Sequence, residues 1–527
     1  MKFILALLLL SVALPAQAAD KLVIPKFTEE TKTSGLHSVY KGEWQYMVGG
    51  GVATFDCNGD GFPEVYSAGG ENKAKLFINK SKQGGALKFS ETKSGAEFDK
   101  VTGAYPLDVD GDGIMDLVVL RVGENKIMRG LGSCKFVEAN KQWNFDGGDG
   151  WSTAFSATWE KGNTWPTLAI GNYIDRTKEL EPWGSCTDNF LLRPNAKQDG
   201  FDKPAALKPS FCALSMLFTD WNKSGTQSLR VANDREYYLG GQEQMWKMPP
   251  GKAPSLYTAD EGWKFVRYWG MGIAENISMA DGMPQYYVTS MADQHLLVLS
   301  DGVAKPSYKD VPFASGVSAQ RPYAGGDLRP STGWHTQFED VNNDGLSDLF
   351  IAKGNVDKMP DFAAKDPSNL LLQNADGTFA EVGDKSGMLS FAQARGGAVA
   401  DFNRDGKLDV LIVNRHENVK IWRNVSKNLG HWLDVRLQSN NGNRDGIGAW
   451  IEVKRGDKIM RREITSGGGH VSGTNGFWHF GLGDQTATQI RVLWPDGVQS
   501  DWQDVGVDQS YLVSKNQAVL DVKRVQP

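Results

Sequence analysis

Short apolar runs recur along the chain, and several open on the same acidic phrase. "DVDGDGIMDLVVL" from Asp108, "DVNNDGLSDLFIA" from Asp340 and "DFNRDGKLDVLIV" from Asp401 each set carboxylates and Gly directly before branched and aromatic residues. A run of that kind, bounded by Gly and Asp, predicts a β-strand entered through a tight turn. "DCNGDGFPEVYS" from Asp56 has the same frame. A second phrase follows each strand, in forms such as "KLFINK", "KIMRG", "NFLLRPN", "HLLVLSDG", "NLLLQNADG" and "VKIWRN". An aromatic outer strand is then expected at Phe89, Phe136, Phe265 and Phe379. No long stretch carries the helical apolar period.

Worn copies extend the series. "DWNKSGTQSL" keeps Asp220, Asn222 and Gly225 but has Ser224 and Ser228 where carboxylates stand elsewhere; "ISMADGMPQY" keeps Asp281 and Gly282; "WEKGNTWPTL" keeps only the strand. Aligned this way, the first positions fall at 56, 108, 159, 220, 277, 340 and 401. A period of roughly 58 residues with several short strands per unit marks a β-propeller, one sheet per blade. We therefore expect an all-β chain with a seven-bladed propeller over residues 20–428. The last unit, ending "KIWRNVSK", lacks an outer phrase, whereas "KFTEETKTSG" at residues 26–35 is a spare one. Phe27 and its neighbours are thus predicted to pair onto the seventh blade and remove an open edge. From His431 the text changes to alternating apolar and polar residues between Gly-rich turns, which predicts a small C-terminal β-sandwich over residues 429–527.

Composition agrees with a turn-rich β protein: 60 Gly, 24 Phe and 17 Trp at 40% hydrophobic content. A net charge of −6 argues against nucleic acid as a partner, because phosphate binding needs a basic face. Lys2, the apolar run Phe3 to Leu14 and Ala16-Gln17-Ala18 form a secretory signal over residues 1–19, too short an apolar run to span a bilayer. Export to the periplasm or beyond is expected, with no membrane span and a monomeric mature chain. Four Cys in an oxidising compartment suggest two disulfides. Three pairings are open, and the nearest in sequence, Cys57 with Cys134 and Cys186 with Cys212, are the expected ones.

The acidic phrase carries candidate chemistry. It offers side-chain oxygens at positions 1, 3 and 5, a Gly at 6, a backbone carbonyl at 7 and a carboxylate at 9. The sets are Asp56, Asn58, Asp60, Phe62 and Glu64; Asp108, Asp110, Asp112, Ile114 and Asp116; Asp340, Asn342, Asp344, Leu346 and Asp348; and Asp401, Asn403, Asp405, Lys407 and Asp409. Hard oxygens at that spacing suit Ca²⁺, which takes six to eight of them. An EF-hand would need Glu at position 12, where Ser67, Val119, Ile351 and Ile412 lie inside predicted strands. About four calcium sites are expected, with a structural rather than catalytic role.

These loops resemble the FG-GAP or VCBS repeats of integrin-like propellers, over about residues 26 to 428. Asn443 to Ala449, His479 to Gly483 and Trp494 to Gly497 resemble the marks of the ASPIC/UnbV domain. Together they are similar to the cartilage acidic protein family and its bacterial relatives. The resemblance implies a secreted calcium-binding protein, associated in animals with extracellular matrix. This chain departs from it in the blades whose acidic residues are lost.

Other features weigh less. Arg455-Gly456-Asp457 spells an adhesion tripeptide but reads as a hairpin turn. The seven His show no metal spacing, and no nucleophile elbow, phosphate loop or dinucleotide fingerprint occurs. Trp159, Trp165 and Trp221 lie where the acidic loops have decayed; exposed, they could stack on a sugar or a partner, and buried, they would be packing. The expected function is a non-catalytic binding or scaffold protein for a glycan or an extracellular or periplasmic protein. Its rival is an enzyme acting on a polysaccharide or glycoconjugate, which would show as a carboxylate pair or Arg/His cluster at the propeller centre.

Overall fold

The computed structural model describes residues 22–178, 184–235, 239–516 and 519–525. The expected signal, residues 1–19, lies outside them. The described residues form nine sheets. Seven follow one another along the chain, with inner strands Val52–Phe55, Val101–Leu107, Ser152–Thr158, Ala213–Thr219, Ile273–Ile277, Gly333–Glu339 and Ala394–Ala400. Each inner strand leads outward through antiparallel neighbours. Each also touches the inner strand of the next sheet, and Ala394–Ala400 touches Val52–Phe55, so the series closes into a ring, as in a propeller. The inner strands are buried along nearly their whole length, as their apolar and small residues require. The outermost strand of the last sheet is Phe27–Glu29, with Phe27 opposite Asn424, so the N-terminal phrase supplies the missing edge.

The remaining two sheets lie in the C-terminal region. His431–Gln438 pairs with Trp478–Gly483 and Gln509–Asn516, while Trp450–Arg455 pairs with Lys458–Glu463 and Thr488–Leu493. Leu433, Val435, Ile451, Val453, Phe480, Ile490 and Val492 share one core, as the sandwich pattern predicts. Arg455 pairs with Lys458 across Gly456, which makes the adhesion-like tripeptide a hairpin turn. Cys57 is bonded to Cys134 and Cys186 to Cys212, the nearest-neighbour pairing. No helix among the described residues is long and apolar enough to cross a membrane.

One expectation is corrected. Phe265 is not in an outer strand: the fourth sheet ends with Ser255–Leu256, and Phe265 is 49% exposed on the connection beyond it. The C-terminal region also packs into the ring: Ser466–Gly467 pairs with Ser152–Thr158, and Gly473–Thr474 runs parallel to Val52–Phe55. Residues 466–474 thus thread the centre of the ring. Glycine permits it: a β-carbon on Gly51 or Gly103 would lie 1.7 or 2.1 Å from the Val471 carbonyl oxygen.

Candidate metal centres

The four acidic loops share one hydrogen-bond scheme. The carboxylate at position 9 lies beneath the loop, on the first residue of the second strand, and accepts backbone N–H groups from two places. Asp116 accepts Val109 N at 2.8 Å and Gly130 N at 2.7 Å; Asp348 accepts Val341 N and Gln373 N, both at 3.0 Å; Asp409 accepts Phe402 N at 3.1 Å and Asn424 N at 2.8 Å. Glu64 accepts Cys57 N at 2.9 Å in the same way. Burial pushes Asp116, Asp348 and Asp409 well above the usual carboxylate range, and Glu64 up to about 8. Position 9 is therefore first a structural acceptor.

Positions 1, 3 and 5 shape the turn. Asp340 accepts Asp344 N and Gly345 N at 3.1 and 2.6 Å, and Asp401 accepts Asp405 N and Gly406 N at 3.1 and 2.7 Å. Asp56 accepts Gly59 N and Gly61 N, and Asp108 accepts Gly113 N at 2.9 Å. Asn58, Asp110 and Asn342 each accept the N–H of position 5. Phe62, Ile114, Leu346 and Lys407 at position 7 donate theirs to the carboxylate at position 5. The Gly at position 6 takes φ from +76° to +88°, a conformation costly for any side chain.

The second loop adds an unmet demand. Oxygens of Asp108, Asp110 and Asp116 come within 4.8 Å of one another. Asp108 is 1% exposed, and its Oδ1 has no hydrogen-bond partner among the described residues. Asn403 Oδ1 of the seventh-blade loop is likewise buried and bare. Burial, and then the neighbouring carboxylates, push Asp108, Asp340 and Asp401 up to about 7. Cations already stand at the margins: Arg129 binds Asp110 and Asp112 at 3.0 and 2.8 Å, and Lys407 binds Asp405 at 2.5 Å. A clustered, oxygen-only donor set with a bare buried carboxylate oxygen fits a hard divalent cation.

The C-terminal sandwich packs on the loops that begin at Asp340 and Asp401, whose position-4 residues are buried, whereas residues 58–60 of the first loop and 111–113 of the second are exposed. Asn343, at position 4 with φ +58°, accepts from His479 Nε2 through its Oδ1 at 2.8 Å and donates from Nδ2 to Gly406 O at 2.9 Å. Arg404, at the same position with φ +55°, lies 4.5 Å from the Phe477 ring centre and donates to Gly61 O. Lys223 lies over Trp450, and Arg462 is paired with Glu339. His479 binds Asp434 through Nδ1 at 2.8 Å. Although burial opposes its charge, the bond to Asp434 and the nearby acids raise the His479 pKa above its ordinary value.

The central channel is filled rather than open. His470 is fully buried; its N–H donates to His335 Nδ1 at 3.2 Å, and its ring packs on Trp334. Burial lowers His335 to about 4 and His470 to about 3, so both are neutral packing groups. At the channel mouth a cavity of about 140 Å³ is lined by Glu275, Glu339, Glu463, Arg462 and Trp478. Thr219 Oγ1 lies 2.6 Å from Glu275, 3.1 Å from Glu463 and 2.7 Å from Tyr286 OH. Glu463 also accepts Asp220 N and Gln227 Nε2 at 3.0 and 2.7 Å. Burial pushes Glu275 up to about 7 and Glu463 well above its ordinary value. This carboxylate pair brings together a propeller strand and the C-terminal sandwich, and no sequence spacing announces it.

Of the three tryptophans weighed as a binding face or as packing, Trp159 is half-buried and the other two are buried. Trp165 and Trp221 are 5% and 3% exposed. Trp165 packs edge-on against Trp143 and Phe201, and Trp159 packs between the propeller and the core of the sandwich.

Two sequence families match the chain. The FG-GAP-like repeat matches residues 56–119 and 340–412, and the ASPIC and UnbV domain matches residues 439–520. The chain therefore carries FG-GAP-like repeats and, towards its C-terminus, an ASPIC/UnbV domain. Among individual proteins it is similar to cartilage acidic protein 1 of Xenopus tropicalis, 29% identical over 106 residues. That stretch is 19% of this chain and 16% of the relative. Among solved structures, BBS1N in complex with ARL6DN is similar at 11% identity, with a TM-score of 0.43 over 77% of this chain and 100% of that one. An Agrocybe aegerita lectin that recognises terminal N-acetylglucosamine is similar at 15% identity and TM-score 0.30, over 71% of this chain and 80% of that one.

Proposed function

We propose that the chain is an exported calcium-binding β-propeller that acts, as a monomer, as a non-catalytic binding or scaffold protein for a glycan or protein partner. The observation that carries the calcium reading is Asp108: a carboxylate 1% exposed, with a bare oxygen, converging with Asp110 and Asp116. Bound calcium would supply the positive charge that these desolvated carboxylates lack. Export is supported by the two disulfides, which persist in oxidising compartments.

The partner surface follows from topology. Connections from an outer strand to the next inner strand emerge at the end of the ring opposite the acidic loops, because successive strands in each sheet are antiparallel. On that open face Phe265 and Trp269 are 49% and 50% exposed, and Arg267 lies over the Phe265 ring. Exposed aromatic faces suit sugars and apolar protein surfaces alike.

Glu275 and Glu463 are the observation that favours the enzymatic alternative. Against it, their cavity of about 140 Å³ is well below the roughly 300 Å³ at which ordinary small-molecule sites begin. Calorimetric titration of chelator-stripped protein with calcium should show saturable uptake at about four sites. A glycan array should show binding that Phe265→Ala with Trp269→Ala abolishes. Failure to take up calcium would remove the first part of the reading. Release of new reducing ends from a captured polysaccharide would replace the second with the enzymatic one.

A further inference from the structure

A cleft of about 810 Å³ opens between the second and third blades. It lies at the end of the ring opposite the acidic loops, because its wall at residues 146–150 belongs to the connection from the outer strand Phe136–Glu138 to the inner strand Ser152–Thr158. Ordinary ligand sites span roughly 300–1,000 Å³, so the cleft is of their size. Its floor is one face of the third sheet. Ile170 stands opposite Phe190 on neighbouring strands, Leu192 follows two residues on and so on the same side, and Pro204 continues the apolar surface. Ile170 and Leu192 are buried, whereas Phe190 is half-buried.

The facing wall is held in place. A β-carbon on Gly147 would lie 2.3 Å from Asn125 O, and one on Gly150 would lie 2.7 Å from Asn172 Oδ1, so the segment presses on both blades. Gly148 between them, at φ +62°, has open space where a side chain would go. Asn125 Nδ2 donates to Gly147 O at 2.9 Å, and Gly123 N donates to Gly150 O at 2.7 Å. The Cys186–Cys212 disulfide fixes the far rim. A cleft so braced needs little ordering when a ligand enters.

Charge decides what fits. The charged side chains lining the cleft are Asp146, Asp149, Asp188 and Lys203. Arg176 forks Asp149 at 2.6 and 2.7 Å, and Lys208 pairs with Asp188 at 2.9 Å. Three carboxylates therefore stand against three cations, and the rim favours neither a polyanion nor a polycation. Asp146, on an exposed turn, accepts Gly148 N through Oδ1 at 3.0 Å, which leaves its other oxygen for a ligand. A pyranose has an apolar C–H face to lay on an aromatic ring and hydroxyls that donate to acceptor-only oxygens, which is what this floor and rim offer.

We propose that the cleft binds the end of a neutral oligosaccharide, one ring resting on Phe190 and its hydroxyls donating to Asp146. The inference rests on the glycan arm of the reading above and adds a site that no repeat phrase marks. The cleft is joined to the aromatic pair on the same face. Tyr173, next to Asn172 of the cleft, donates to Asp234, and Asn233 accepts the N–H of Gly270, beside Trp269. A chain held by its end in the cleft would run on toward Phe265 and Trp269, and two weak contacts on one chain act together.

The test is calorimetric titration of the full chain, in calcium, with the neutral β-1,4-linked hexasaccharides of glucose, mannose and galactose and with hexagalacturonate, beside the glycan array. At least one neutral hexasaccharide should bind, and hexagalacturonate should not. Phe190→Ala and Asp146→Asn should each weaken that binding about tenfold or more. With the trisaccharide of the same sugar, Asp146→Asn should keep its effect and Phe265→Ala with Trp269→Ala should lose its own. Asp146→Asn keeps an acceptor for Gly148 N, so it carries the test alone should Phe190→Ala lose its far-ultraviolet spectrum. Wild-type affinity in Asp146→Asn, preference for hexagalacturonate, or no binding of any neutral hexasaccharide would overturn the inference. Array capture that Phe265→Ala with Trp269→Ala abolishes would then leave the glycan reading standing. A wild type that captures nothing on the array removes both.

Discussion

Asp409 separates what the acidic loops do as scaffolding from what they do as ligands. Its side chain is 0% exposed, and its two oxygens accept Phe402 N at 3.1 Å and Asn424 N at 2.8 Å. Asp409→Ala leaves both backbone donors buried without an acceptor. Each orphaned group costs about 1–3 kcal/mol, so the variant should lose about 2–6 kcal/mol. That is a large part of the roughly 5–15 kcal/mol by which most domains are stable. Asp405, at position 5 of the same loop, makes only the turn bond to Lys407 N at 3.1 Å and a marginal ion pair with Lys407 Nζ. Asp405→Ala should cost about 1 kcal/mol or less in chelator. In calcium it should forfeit the contribution of the ion as well, about 1.4 kcal/mol at tenfold saturation. Guanidinium denaturation of both variants and the wild type, in chelator and in calcium, reads the two roles separately. Asp409→Ala within 1 kcal/mol of the wild type in chelator would refute the scaffolding argument, as would Asp405→Ala costing as much as Asp409→Ala.

Three further outcomes are expected. Chelation should lower the melting temperature markedly, because four sites at tenfold saturation contribute on the order of 5 kcal/mol; differential scanning calorimetry with and without calcium measures it, and superimposed melts would contradict it. Burial lifts Glu275 from its ordinary 4.5 to about 7, so the folded state prefers the protonated form and the wild type loses stability as pH rises between those values. Glu275→Gln does not titrate, and its advantage should widen by about 2 kcal/mol between pH 5 and pH 8, read from urea midpoints across pH. Gly103→Ala places a β-carbon 2.1 Å from Val471 O and 2.6 Å from Val471 Cβ, so it should cost about 1–3 kcal/mol by pushing the threaded segment out of the channel. A variant that melts with the wild type would show that the segment yields freely.

The parts of the structure legible in the sequence are those set by neighbours along the chain. The acidic phrase fixes a turn and the start of a strand through local bonds, so Asp116, Asp348 and Asp409 each begin a strand. The spare N-terminal phrase is legible because a missing outer strand is a gap in a count. What escapes is long-range. "SGGGHVSG" has the same composition whether it turns in water or threads a ring, and only the facing Gly51 and Gly103 distinguish the two. Trp165 and Trp221 read as packing or, less readily, as surface aromatics, since a dense local run of Trp does not say which way each side chain faces. One signal was available. Position 4 adopts positive φ, which Gly59 and Gly111 satisfy cheaply, yet Lys223, Asn343 and Arg404 stand there too. A polar side chain held in that conformation implies compensation from elsewhere, and each of the three reaches residues of the C-terminal sandwich.

The burial of the first carboxylate in three of the loops changes what calcium would do on the proposed reading. An ion in an exposed hairpin stabilises that hairpin alone, and its carboxylates are solvated whenever it leaves. Here the sandwich keeps water from Asp108, Asp340 and Asp401, each buried to at least nine-tenths, so an empty loop leaves desolvated acids beneath a docked domain. Docking and ion uptake are then linked by mass action: whatever factor docking adds to the affinity for calcium, calcium adds to docking. The threaded segment also ties the sandwich to the ring centre, because Asn475 joins Asp445 to Thr54 of the first inner strand.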